Sequence, residues 1–479
     1  MPDRFTPQQR LVVTVAVLAS FVTFLDGTIV NVALPAIDRE LGGGLATQQW
    51  VVDAYLITLG ALILLAGSVS DAFGRIVVLR WGLIGFGIAS LAVALAPTAM
   101  FLIVARTVQG AAAAFLVPSS LALITSTMRG PVQARAIGVW TALTTSAMVA
   151  GPLIGGLFVD HLSWRFAFLI NVLPIAATLL LLPRLAHRDQ REAGARIDWW
   201  GAALCTVSLG LLVFALIEQP RLGWASPAIW GGLVVGVLLF GGFVWRQRVA
   251  AAPILPLGLF RIRNFSAGNL TTLFVYAALS LNGFVLAIYL QQGADLTATE
   301  AGLASLPTTI LMILLSSRFG ALAGKLGPRL FMTVGPLLMA GGALLLLTVG
   351  TDFNYWWQVL PGMIVFGLGL SMTVAPLTSA VLGSVDSARS GIASAANNAV
   401  ARVAGLVAVA AIAAAVGSLD LDGFHRAALL TAGLLAVGGI ASFLGIRNPP
   451  VAATAAAPTP SAQPPSSAQP PSPSAQPPS

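Results

Sequence analysis

The sequence predicts an all-α integral membrane protein with fourteen spanning helices, and three observations carry that prediction. Of the 479 residues, 57% are hydrophobic and 9% charged, and the mean hydropathy is +0.89, whereas an ordinary soluble domain is roughly 25% charged. Apolar stretches recur at about 17 to 25 residues, the length a helix needs to cross the hydrocarbon core of a bilayer. Arginines are concentrated in alternate connections, as the orientation of membrane spans requires.

The first span is expected over residues 11–37. A polar lead of about ten residues and the lack of a small-residue cleavage site make it a retained helix and not a removable signal peptide. Spans two to six begin near Trp50, Val78, Met100, Ala136 and Phe166. The most polar internal connection, residues 184–198, follows as a cytoplasmic linker. Two further helices begin near Trp199 and Ala228, then a basic connection over 246–263 leads to six spans beginning near Phe265, Ala301, Phe331, Trp356, Gly391 and Ala427. The expected organisation is an N-terminal segment 1–10, a six-helix block 11–184, a linker with two additional helices 185–263, a six-helix block 264–447 and a Pro/Ser/Ala-rich tail 448–479. Three copies of Ser-Ala-Gln-Pro-Pro-Ser, starting at Ser461, Ser467 and Ser474, leave the tail unable to bury a core. It is expected to be disordered and cytoplasmic.

The formal net charge is +8. Arg75, Arg80, Arg129, Arg135, Arg184, Arg246, Arg248 and Arg329, among others, fall on one side of the predicted topology, and Arg39, Arg165, Arg221 and Arg426 on the other. This bias places both termini in the cytoplasm. Because these residues sit in short connections and not on one soluble face, the basic charge does not point to a nucleic-acid partner. Most tryptophans lie near helix ends as interfacial anchors, with Trp140 deeper. Cys205 is the one cysteine, so no intramolecular disulfide or cysteine metal cluster can form. His161, His187 and His425 are all expected in loops, and no Gly-x-x-x-x-Gly-Lys-Ser/Thr string is present. No metal site, cofactor or enzyme chemistry is expected.

Asp26 stands out, because a carboxylate in the first apolar run costs about 2.5 to 3.5 kcal/mol on insertion scales. The other strongly polar residue nearby is Asn31. At about 1.5 Å of rise per residue, Asp26, Asp53 and Arg106 share the outer half of their spans, at about 10, 6 and 9 Å from the outer ends. A carboxylate and a guanidinium that are alternately exposed can exchange a proton with either side. Asp26 and Arg106 are therefore the candidate proton-coupling pair, with a static ion pair as the alternative. Asp53 is a candidate second proton or substrate site, or else a solvated interfacial carboxylate. Arg402, mid-span and near Asn397 and Asn398, is a substrate contact or a structural brace. A faint repeat links residues 67–75 with 320–329, and paired halves of this kind place a substrate site near the midplane between them.

The pattern Gly-x-x-x-Asp-x-x-Gly-Arg formed by Gly67, Asp71, Gly74 and Arg75 resembles the signature loop of the major facilitator superfamily. Arg106-Thr107-Val108-Gln109-Gly110 resembles its buried basic motif. Ala150-Gly151-Pro152-Leu153-Ile154-Gly155-Gly156 resembles the motif of its drug and proton antiporters. The string from Leu25 through Asp26 to Pro35 resembles the first-helix motif of the fourteen-span drug:proton antiporter family, and the string from Trp164 through Asn171 to Val172 adds a hallmark. The likeness extends over about residues 11–447.

The resemblance implies the major facilitator fold and a proton-coupled antiporter that exports hydrophobic or cationic drugs or toxic compounds by alternating access. The alternatives are export of one endogenous metabolite, such as an antibiotic or lipid precursor, and a membrane sensor that does not transport. Asp71 and Arg75 are then a cytoplasmic latch that breaks on inward opening. Gly151, Pro152, Gly155 and Gly156 bend span five and admit a neighbour, with ordinary close packing as the plainer reading. Substrate-contact candidates are Asp53, Asn31, Trp140, Asn398 and Arg402. Gly324 stands where the family has an aspartate, so the second latch is expected to be weaker. With no intramembrane acid in the second block, protonation is expected in the first, and hydrophobic monocations or neutral amphiphiles are the favoured cargo. The expected setting is the inner membrane of a bacterium, where a single chain works with substrate, protons and lipid.

Overall fold

The computed structural model describes residues 5–185, 196–386 and 389–448. Residues 1–4 with Arg4, the linker stretch 186–195 with His187, and the expected disordered tail from residue 449 lie outside the described residues. Every regular element among the described residues is helical.

Helix α1 (Pro7–Leu41) starts at a capping box, in which the Thr6 side chain accepts from the Gln9 backbone and the Gln9 side chain accepts from the Thr6 backbone. It is followed by α2 (Gly44–Leu62), α3 (Ala66–Phe73), α4 (Arg75–Ala94), α5 (Ala99–Thr127), α6 (Gly130–His161), α7 (Trp164–Leu169) and α8 (Val172–Leu181). The middle pair is α9 (Trp199–Leu222) and α10 (Pro227–Val249). The last group is α11 (Arg263–Gln292), α12 (Ala298–Ala304), α13 (Leu306–Leu326), α14 (Pro328–Leu345), α15 (Leu360–Leu382), α16 (Ser390–Ala410), α17 (Ile412–Val416) and α18 (Leu421–Gly445). Among the described residues, 13 helices are long and apolar enough to cross a membrane, and the α2–α3 pair, bent by 58°, brings the number to 14.

Three local expectations change. Residues 67–73, expected in a loop, form most of α3, a short helix whose break from α2 re-aims Asp71. Helix α2 begins at Gly44 and not at Trp50, which sinks Asp53 about 14 Å into the helix instead of about 6 Å. His161 is the last residue of α6, and His425 lies on α18, which starts at the Asp420 N-cap, with its Nε2 2.8 Å from the Val349 carbonyl.

The faint repeat has a backbone counterpart. Gly74 joins α3 to α4 with φ +99°, and Gly327 joins α13 to α14 with φ +87°. Both are left-handed positions that glycine alone adopts at little cost. Helix α1 packs against α5 and α6, and α2 and α4 against α5; in the second group α14 packs against α15 and α18, and α11 against α16 and α18. A bilayer gives apolar side chains little reason to leave lipid, so packing depends on close backbone approach at small residues. One apolar cluster nevertheless joins the two groups, with Ile37 and Phe168 from the first and Phe284, Tyr289 and Phe424 from the second.

The middle pair is tied to itself and to the seam. Asp198 caps α9 through the Gly201 N–H and accepts from Arg246 Nε at 2.9 Å and Gln247 Nε2 at 3.2 Å, both on α10. On its other side α9 packs on α2, α16 and α17, with Cys205, Leu209 and Val213 meeting Ile57, Ala61 and Leu406.

Candidate functional site

The site is built around the midpoint of α1. Asp26 is fully buried, and Arg106 on α5 is 1% exposed. Their charged atoms meet, Nη1 to Oδ2, at 2.6 Å. The same Nη1 donates to Gln109 Oε1 at 2.7 Å, and Arg106 Nε donates to the Val51 carbonyl of α2 at 3.0 Å. Gln109, one helical turn beyond Arg106, donates to Asp26 Oδ1 at 3.0 Å and to Ser90 of α4 at 2.9 Å. Asn171 Nδ2 donates to Asp26 Oδ1 at 3.1 Å from the junction of α7 and α8. The guanidinium also lies 4.3 Å from the centroid of the Tyr55 ring and 5.6 Å from that of Phe168.

A buried pair is tolerable only when its remaining valences are met, and here two amides and a backbone carbonyl meet them. Asp26 thus draws α1, α5 and the α7–α8 junction to one point, so a change in its charge acts on three helices at once. Gln109 and Asn171 were not singled out as site residues from the sequence, although both sit inside recognisable motifs. The available signal was a polar side chain in an otherwise apolar span.

Asp53 is 0% exposed, and neither carboxylate oxygen has a hydrogen-bond partner among the described residues. Burial removes the solvated interfacial reading. One turn earlier, Gln49 donates to the carbonyls of Val409 and Ala410 on α16 at 2.6 and 3.1 Å. Asp53 therefore stands beside the seam between the two groups of helices.

A cavity of about 110 Å³ lies on that seam, walled by α1, α2, α5, α11 and α16. Asn31, Arg106 and Arg402 line it. The other three substrate-contact candidates, Asp53, Trp140 and Asn398, are not among its lining residues. Trp140 donates its Nε1 to Ser20 at 3.1 Å, and exposed Asn398 donates to the Ser394 carbonyl one turn back on its own helix.

At the end where α1 finishes, the seam is closed. Asp160, at the end of α6, accepts from the Ala298 N–H at 3.0 Å and from the Thr299 N–H at 2.8 Å, and also from the Thr299 hydroxyl. It caps α12 of the other group. Gly156 and Gly302 make this approach possible: a Cβ on Gly156 would overlap the Thr299 backbone, and one on Gly302 the Pro152 carbonyl. Gly151 and Gly155 face α1 instead, where a Cβ would run into Thr28 and Ile29. Gln291 adds a bond from α11 to the Val32 carbonyl at 3.2 Å. At the opposite end, Asp71 and Arg75 pair with each other at 3.9 Å with both side chains substantially exposed, and Arg75 reaches the Ala122 carbonyl within its own group.

The family model described as Major Facilitator Superfamily matches residues 16–409. The chain is 33% identical over 429 residues to the Methylenomycin A resistance protein of Streptomyces coelicolor, covering 89% of this chain and 90% of that one. It is 35% identical to the Puromycin resistance protein pur8 of Streptomyces alboniger, over 84% of this chain and 81% of that one. It is 32% identical to the Tetracenomycin C resistance and export protein of Streptomyces glaucescens, over 84% and 74%. Among solved structures, a POT family transporter in complex with 5-aminolevulinic acid superposes with a TM-score of 0.69 over 90% of this chain and 94% of that one, at 14% identity. That identity makes the likeness one of fold alone. With the family match running from the first span to the end of α16, and with relatives of this similarity over most of their length, the chain belongs to the major facilitator superfamily.

Proposed function

We propose that this chain is a drug exporter of the bacterial cytoplasmic membrane, a proton-coupled antiporter that works by alternating access between helices α1–α8 and α11–α18. The observation that carries this reading is the fully buried Asp26–Arg106 pair beside a cavity on the seam between the two blocks. The resistance and export functions in the relatives' names support a drug-like cargo.

In this reading Asp26 is the coupling acid. While ionised it holds Arg106, Gln109 and Asn171. A proton taken up on its carboxylate removes the charge opposite Arg106, and the three helices it gathers are released to rearrange. Asp53 is the second proton site. An ionised carboxylate without a partner is very expensive to bury, so the closed seam beside it suits the neutral acid. The arginine bias of the sequence puts the start of α1 in the cytoplasm, with both termini inside. The closed end with Asp160 then faces outward, the cavity faces inward, and the exposed Asp71–Arg75 pair is a latch in its released state. Proton entry is favoured by about 2.3 kcal/mol per charge for each 100 mV of membrane potential, which drives export without ATP.

The test is transport in proteoliposomes under an imposed pH gradient, with the parent and Asp26→Asn compared on a panel of amphiphilic drugs. The parent is expected to accumulate substrate against its gradient and the variant to show only background flux. Gradient-driven flux that persists in Asp26→Asn would falsify the coupling role. A narrower reading, export of one self-made antibiotic, is favoured by relatives each named for a single compound; a parent that moves one member of the panel and no other selects it.

A further inference from the structure

The cavity has a charge of its own. Two guanidiniums line it, Arg106 and Arg402, and no carboxylate is among its lining residues. Arg106 has its Nη1 on Asp26 and Gln109 and its Nε on Val51. Arg402, at the middle of α16, makes no hydrogen bond or ion pair among the described residues. The Tyr55 hydroxyl is buried and without a hydrogen-bond partner among the described residues, and Tyr55 lines the cavity beside Asn31 and Ser280.

These groups match one kind of ligand. An unpaired guanidinium is costly inside a membrane, so a static brace at Arg402 calls for a protein partner that the surrounding helices do not supply. A guanidinium offers five N–H donors in a planar fork, a shape that fits a carboxylate at two points. Tyr55, Ser280 and Asn31 add neutral donors around the same space, and Phe284, Val30 and Val409 provide apolar wall. With Asp26 ionised and Asp53, next to the cavity-lining Val52, in the neutral form proposed above, the nearby charge is one carboxylate against two guanidiniums, which leaves the space net positive.

We infer that this cavity is the subsite for a carboxylate on the exported compound, with Arg402 as its main anchor and the Tyr55 hydroxyl as a second donor. The inference rests on the reading of the chain as an exporter and narrows its cargo: among drug-like amphiphiles, carboxylates are received and lipophilic cations are repelled. The scarcity of acids in the second block, which from the sequence favoured monocations or neutral compounds, leaves Arg402 uncompensated and reverses that preference. It also sets the direction of the electrical force, since a negative interior pushes an anion outward.

The test uses the full chain, purified and reconstituted, with three probes on one ring scaffold: 1-naphthylacetate, 1-naphthylacetamide and (1-naphthylmethyl)trimethylammonium. Equilibrium binding is expected to favour the carboxylate over the ammonium by at least about tenfold, the scale on which truncating one side of a buried charged contact acts. Arg402→Gln should remove that preference and Arg402→Lys should restore part of it. Thermal unfolding of both variants establishes that the fold persists. Tyr55→Phe should weaken carboxylate binding by a few fold and leave the amide unchanged. A parent that prefers the ammonium, or an Arg402→Gln protein that is folded and binds the carboxylate as the parent does, overturns the subsite. Gradient-driven export of the amide with no discrimination by charge also overturns it while retaining the antiporter. Arg402-dependent carboxylate binding without gradient-driven flux of any probe supports the subsite and removes the antiporter.

Discussion

The two ends of the inter-block seam are held by different means. Where α1 finishes, the blocks meet backbone to backbone: Gly156 lies against Thr299, Gly302 against Pro152, and the Asp160 carboxylate caps α12 across the gap. Where α1 starts, the conspicuous charges pair within one block, 3.9 Å apart and exposed to solvent. Close apolar approach with a charge-assisted cap holds a seam shut, whereas an exposed ion pair is worth about 0 to 1 kcal/mol. The cap and the close backbone approach join the two blocks at the first end, whereas the Asp71–Arg75 pair at the second joins nothing across the seam among the described residues.

Four substitutions break or sharpen this contrast, from the largest effect to the smallest. Gly156→Val puts a branched side chain where a single Cβ already overlaps Thr299, and overpacking of this kind costs about 1 to 3 kcal/mol. Spin labels at the ends of α6 and α12 should report a wider distance in a population raised about fivefold or more; an unchanged distance distribution means that the approach is not needed for closure. Asp160→Ala removes the cap, which is worth about 0.5 to 2 kcal/mol, and the same labels should report a smaller shift in the same direction. Asp160→Asn should recover part of it, because one oxygen still accepts. Asp71→Asn should leave this closed end and thermal stability unchanged to within about 0.5 kcal/mol, as an exposed pair would. Its effect is expected on transport turnover, through the opposite arrangement in which the latch engages. A change in the α6–α12 distances of Asp71→Asn would mean that the two ends are coupled in this state.

Much of this molecule is legible in the sequence, and the gaps have physical causes. The Asp26–Arg106 pair could be anticipated across 80 positions because charges inside a membrane need partners and few were on offer. Gln109 and Asn171 were less visible, since an amide in a span is cheap enough to be structural. Asp160 carried no signal at all: an acid at a helix end looks solvated, and its partners are backbone N–H groups 138 and 139 residues away. Asp53 was misplaced because a glycine-rich start hid the first turn and a half of α2, and the depth of a side chain follows from where its helix begins. The glycine motif of α6 predicted close approach, but not that Gly151 and Gly155 serve α1 while Gly156 serves the other block.

The middle pair of helices has a bearing on how a lipid-dissolved compound reaches the cavity. Helix α9 is held to α10 through Asp198 and lies along α2, α16 and α17, and Trp50 of α2 donates to its Glu218 at 3.1 Å. On that flank the moving seam faces protein and not hydrocarbon. The other flank runs between α6 and α12–α13, where Leu143, Ile310, Ile313 and Leu314 are exposed. In the exporter reading, a compound partitioned into the membrane would meet one flank shuttered by the two additional helices and would arrive from the other.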